Sequence, residues 1–329
     1  MFRRTLFFTI TMVACFNLLY SQAETTTVTD TIKKDTFWKF GGDIGLNFNQ
    51  ILFINPRVGS GNNRIAFGGL ANLMANYKKN NWIWDNSIKF QLAFQRIGEY
   101  DSGNPFGKTL DNIRLGSRVG IRAFNAKTFW ALDGTFESQI TKTYPGNFLS
   151  PAEEGDQPIS EFLSPATVTL ALGIDYKPDE HLTFFFSPGA FKTILVLDDS
   201  IAQLGVHGNE PIDRDDLSKG YKNSFAQFGV SFKALYNNKF VKGKILFSSE
   251  LNLYSNYLFE PQNVDVYWNV DLGVKIWKIF SINLVTNLYY DHDIFIPDDR
   301  NNDGEITEGE GGPRTTFTEA LVIKYNFGF

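Results

Sequence analysis

The feature that most constrains this chain is a two-residue alternation sustained over segments longer than ordinary strands. Phe317, Glu319, Leu321, Ile323, Tyr325, Phe327 and Phe329 share one parity, while Thr318, Ala320, Val322, Lys324, Asn326 and Gly328 share the other. Segment 264–276 sets Val264, Val266, Trp268, Val270, Leu272, Val274 and Ile276 against Asp265, Tyr267, Asn269, Asp271, Gly273 and Lys275. Segments 168–176 and 130–140 alternate in the same way. Successive strand side chains point to opposite faces, so each segment has one apolar face and one polar or small face. A soluble sandwich also alternates, but its strands average about 5–6 residues. A tilted membrane-spanning strand needs about 9–11, and these runs reach that length. Aromatics near both ends of the apolar parity, such as Phe317 with Phe329 and Trp268 with Trp277, match interfacial girdles.

Twelve strands are expected, at 37–50, 63–77, 82–97, 109–123, 128–142, 165–177, 181–195, 221–236, 240–258, 263–277, 279–294 and 315–329. Connections alternate between tight (78–81, 124–127, 177–180, 237–239, 278) and long (51–62, 98–108, 143–164, 196–220, 295–314), with 259–262 a short exception. This reads as an all-β, closed antiparallel transmembrane barrel with short periplasmic turns and long extracellular loops. Closure removes the unpaired edges that lipid would not tolerate. The terminal aromatic Phe329 resembles the signal by which outer-membrane barrels are recognised for assembly.

Arg3 and Arg4, an apolar run over Leu6–Leu19 and Ser21-Gln22-Ala23 read as a cleaved export signal over residues 1–23. Residues 24–36 then form a periplasmic segment and 37–329 the barrel. Cleavage removes Cys15, the single cysteine, so the mature chain carries no disulfide. The outer membrane of a Gram-negative bacterium follows as the location, with its lipid and the barrel-assembly machinery as partners. A net charge of −5 argues against nucleic acid.

Trp38 with Gly41-Gly42, Leu46-Asn47-Phe48-Asn49-Gln50, Asn76-Tyr77-Lys78, Trp84, Lys108-Thr109-Leu110-Asp111 and Phe136-Glu137-Ser138-Gln139 resemble an uncharacterised Bacteroidota family of outer-membrane β-barrels, a domain of unknown function. That family has a tryptophan- and glycine-rich stretch after the first strand, where this chain has Asn55-Pro56-Arg57-Val58-Gly59-Ser60-Gly61. The resemblance implies fold and location and no known activity.

Asp299-Arg300-Asn301-Asn302-Asp303-Gly304-Glu305-Ile306-Thr307-Glu308-Gly309-Glu310 fits the calcium-loop pattern at every position. Asp299, Asn301 and Asp303 offer side-chain oxygens, Glu305 its carbonyl and Glu310 two closing oxygens, while Gly304 permits the turn. The competing reading is a solvated acidic hairpin. Asp133, Glu137, Gln139, Asp175, Glu250, Asn252, Asp265, Asp271 and Lys275 are expected to face the lumen, where mixed charges tune selectivity.

Three functions are weighed. The leading one is a channel, or a protein that binds and transports a small solute. The second is a structural or assembly role, with loops docking another envelope protein. The third is a rim hydrolase using His292 between Asp291 and Asp293, but no Asn-His-Ser or Gly-x-Ser-x-Gly motif accompanies that histidine.

Overall fold

In this computed structural model the described residues are 37–51, 63–98, 105–205, 207, 209–294, 296–297 and 311–328. The N-terminal segment, the calcium-loop residues Asp299–Glu310 and Phe329 lie outside them.

Twelve antiparallel strands close into a ring. They are β1 (Trp38–Ile51), β2 (Arg64–Lys79), β3 (Trp82–Ile97), β4 (Gly107–Arg122), β5 (Thr128–Ser138), β6 (Ala166–Tyr176), β7 (Leu182–Leu195), β8 (Ser224–Phe240), β9 (Ile245–Asn256), β10 (Asp265–Lys275), β11 (Phe280–Tyr290) and, last, β14 (Thr316–Gly328). Two short pieces, β12 (Ile296–Pro297) and β13 (Gly311–Gly312), form a separate ribbon. Each ring strand pairs with its sequence neighbour, and β1 pairs with β14 to close the wall. Among the described residues, no helix is long and apolar enough to cross a membrane.

The parity read from sequence becomes the two faces of the wall. Leu46, Phe48, Trp130, Leu172, Trp268, Leu321 and Ile323 are exposed on the outside. Ala131, Ala171, Phe185 and Ala190 pack inside with Tyr254. Connections of two to five residues join β2 to β3, β4 to β5, β6 to β7, β8 to β9 and β10 to β11 at one rim. The longer connectors gather at the other rim. Two of them lean on each other there, with the Leu197 amide donating to Leu163 O at 3.2 Å and the Asp198 amide to Ser164 Oγ at 2.9 Å.

Several strand limits differ from expectation, and three of these shifts have a visible cause. Asn237-Asn238-Lys239 is no turn: it continues β8 and pairs with Ser248, Phe247 and Leu246. The chain reverses at 241–244, where Gly243 takes φ 80° without the strain a Cβ would bring. β9 therefore starts at Ile245 instead of 240. β5 ends at Ser138 instead of 142, because the backbone amides of Ile140 and Thr141 turn to the Asp111 carboxylate at 2.8 and 2.9 Å.

Candidate functional site

The polar parity places alternate residues of each strand toward the inside, and there acids from one strand meet cations from another. At mid-height the Lys89 ammonium on β3 pairs with Glu250 on β9. Arg114 on β4 joins them, 3.6 Å from Glu250 and 3.3 Å from Glu137 on β5. Its guanidinium also lies 4.4 Å from the centre of the Tyr267 ring, a cation–π distance. Asn252 donates to Glu250 at 3.1 Å.

Toward the short-turn rim, Arg118 bridges Asp133 and Asp175, each at 2.8 Å. Lys233 pairs with Asp133, and Lys177 pairs with Asp85. The Arg118 guanidinium rests 4.5 Å over the buried Phe185 ring. On the seam side, Lys324 of β14 is 1% exposed, contacts Asp43 of β1 at 2.9 Å and pairs with Asp271 of β10. Toward the long-connector rim, Lys192 holds Asp265 at 2.7 Å and Asp291 at 3.1 Å. Gln139 accepts from Lys108 at 2.6 Å and from Ser160 at 2.7 Å. Lys275 sits half-buried near the end of β10. Charges taken out of bulk water are tolerated only when partnered, as those in the ion pairs above are.

The sequence argument named the acids and overlooked most of their partners: Lys89, Arg114, Arg118, Lys192, Lys233 and Lys324. Parity could have found them, since Lys89 shares its face with Ser87 and Gln91, and Arg114 with Asn112 and Gly116.

Above the ion-paired centre lies a cavity of about 320 Å³. Its walls include Leu70, Gln91, Ala93, Val285, Asn287 and Ala320. Its base is the cluster of Leu70, Val285 and Val322. A second space of about 20 Å³ adjoins it among Lys89, Arg114, Asp271 and Lys324. A single water needs roughly 10–15 Å³, so this lower space is a constriction.

The ring nitrogens of His292 bond to groups other than its neighbouring aspartates. Its Nε2 is 3.2 Å from Glu260 and its Nδ1 is 3.2 Å from the Tyr290 hydroxyl. Asp291 accepts from Lys192 and Tyr289, and Asp293 from Gln227. In the long connectors, His207 Nε2 donates to Ile159 O at 2.9 Å. Burial holds the His207 ring below its ordinary pKa, partly offset by that hydrogen bond.

Fold and interior together define, among the described residues, a closed antiparallel barrel with a cross-paired bore and a cavity of about 320 Å³. The model of a family described as a protein of unknown function, DUF3078, matches residues 48–144. No curated protein matches the chain. Among solved structures, the chain is similar to an outer membrane channel from Pseudomonas putida F1, at 12% identity over 93% of this chain and 100% of that one, with a TM-score of 0.37. It is also similar to the translocator domain of the autotransporter NalP from Neisseria meningitidis (8% identity, 90% of each chain, TM-score 0.31). A third is the toluene transporter TodX of P. putida (10% identity, 90% of this chain and 80% of that one, TM-score 0.29).

Proposed function

We propose that this chain is an outer-membrane barrel of a Gram-negative bacterium that binds a small solute inside its wall and transports it. The membrane reading is supported by the outward apolar parity of strands 11–17 residues long and by the segregation of short and long connectors to opposite rims. The solute reading rests on one observation, the cavity of about 320 Å³ above a bore spanned by ion pairs. That volume falls at the lower end of small-molecule sites, roughly 300–1,000 Å³. Its lining mixes apolar side chains with Asn47, Gln91, Thr109, Asn287, Thr318 and Glu319, the polar groups that would orient a ligand. An open general pore is disfavoured by the pairing of Lys89 with Glu250 across the bore.

The test is binding of N-phenyl-1-naphthylamine to the full barrel in nanodiscs, read as emission sensitised by the barrel's own tryptophans. Sensitised emission that saturates in the parent and disappears in Ala320→Phe, which fills the cavity, is the expected result. Equal binding by both proteins would refute the cavity as a solute site.

The acidic segment belongs to the same reading as a calcium-binding external loop. Its sequence pattern supports this, as does the pairing of Ile296 with Gly312 and Pro297 with Gly311, which draws the two ends of the segment together.

A further inference from the structure

The wall is unevenly closed. β2 and β3 share sixteen register pairs, from Arg64–Ile97 to Lys79–Trp82. Among the described residues, β1 and β14 share only six, from Gly41–Gly328 to Leu46–Ile323. β1 then runs on to Ile51 with β2 as its one ladder partner, and β14 extends back to Thr316 with β11 as its one ladder partner. The paired part of this seam is clamped from inside by Lys324 on Asp43. Beyond Leu46 and Ile323, two strand edges face each other without a ladder.

The cavity lies behind that unpaired stretch. It is lined by Leu70 and Val322 of the inward parity and, along the seam, also by Gly69 and Glu319 of the outward parity; Thr109 and Leu110 likewise both line it, at the bulge between β3 and β4. Glu319 interrupts the exposed apolar row of Phe317, Leu321 and Ile323. Backbone left without partners at membrane depth is tolerated where it borders a cavity that water or a solute can enter. The cavity and the unpaired edges therefore account for each other.

One more observation describes what enters. Below the cavity lies the 20 Å³ constriction among Lys89, Arg114 and Lys324, where an apolar molecule would have to break charge contacts to pass.

We infer that the β1–β14 seam is a lateral portal, through which a small, mainly apolar solute passes between the cavity and the hydrocarbon of the membrane. This rests on the transport reading above and adds the solute class and the route.

Extending the seam register sets Phe48 opposite Leu321, both exposed on the outer face, so a bond between them closes the portal without filling the cavity. The experiment uses Gram-negative cells, whose intact outer leaflet excludes N-phenyl-1-naphthylamine, expressing the parent or the Phe48→Cys/Leu321→Cys double variant. Oxidation closes the pair; a short bis-maleimide does so where the gap exceeds disulfide reach. Cells with the parent or the reduced variant are expected to take up the probe faster than cells without the barrel. The closed variant is expected to lose that gain, and a reductant to restore it for the disulfide. If the closed variant takes up probe as fast as the reduced one while the purified parent still binds it in nanodiscs, the portal is wrong and the solute-binding reading stands. If the purified parent binds no probe, both fall.

Discussion

Lys89 and Glu250 are ion-paired from strands that lie six places apart in the ring of twelve, so the bond crosses the bore between opposite walls. Arg114 ties the same carboxylate to Glu137, which makes the crossing a network. The inside of this barrel is therefore braced, and its permeability depends on a few identifiable charges.

Removing one end of the brace is expected to harm the fold more than removing both. Lys89→Ala leaves Glu250 with Arg114 and Asn252, at an expected loss of about 1.5–3 kcal/mol for a hydrogen bond to a charged group. The Lys89→Met/Glu250→Leu pair removes both charges and should recover most of that loss. Thermal unfolding in detergent, followed by the shift between folded and unfolded bands on gels, compares the three proteins. A double variant less stable than the single one would contradict the prediction.

The same brace predicts conductance. In planar bilayers the parent is expected to show small or no steps, and Lys89→Ala/Glu250→Ala larger ones, because the crossing at mid-height is gone. Unchanged steps would place the constriction elsewhere.

Glycines set close strand approaches at two points. A Cβ on Gly173 would stand 2.1 Å from Phe186 O, and one on Gly229 would stand 1.9 Å from Ser255 O. Both neighbours are backbone, so neither can step aside. Gly173→Ala and Gly229→Ala are each expected to destabilise by about 1–3 kcal/mol, the usual range for overpacking. Gly134→Ala, with nothing nearer than 3.5 Å, should stay close to the parent. Heat-modifiability on gels gives the ranking directly.

Acid is expected to loosen the packing of the long connectors. His207 has its pKa lowered in the folded protein by burial, so folding favours the neutral ring. That contribution is intact above the ordinary histidine pKa and is lost as pH falls through it toward the folded value. Hydrogen exchange at residues 156–165, which flank the Ile159 acceptor, should speed up between about pH 7 and pH 5. His207→Gln should flatten the response, and an unchanged profile would remove the histidine from the account.

Calcium should order the acidic loop. Protease cleavage within 298–310 is expected to slow on adding calcium to the parent, and to ignore calcium in Asp299→Ala/Glu310→Ala. Equal protection with and without calcium in the parent would reject the site.

Much of the wall was legible because lipid imposes a strict code on each strand: Trp268, Val270 and Leu272 must differ from Asn269 and Asp271. The connectors were legible for the same reason, since tight reversals and long excursions alternate. The end of β8 was misread because Asn237-Asn238 looks like a turn, although past the apolar band a strand can carry polar residues on both faces. The interior was read only in part. Parity says that Asp133 faces inward, but Arg118 and Lys233 become its partners through the curvature of the ring. The short seam was invisible: Leu46 and Phe48 carry the same alternation, and only the tertiary register shows that one has a partner strand across the seam and the other does not.

A ring stiffened by internal struts cannot ovalise freely when the surrounding bilayer thins or is stretched. With Lys89–Glu250 holding opposite walls and Arg118–Asp175 holding strands two places apart at fixed spacing, strain must collect at the weakest joint, the six-pair closure of β1 on β14. The barrel is thus built so that mechanical compliance is localised at one edge, leaving eleven other junctions to keep their register.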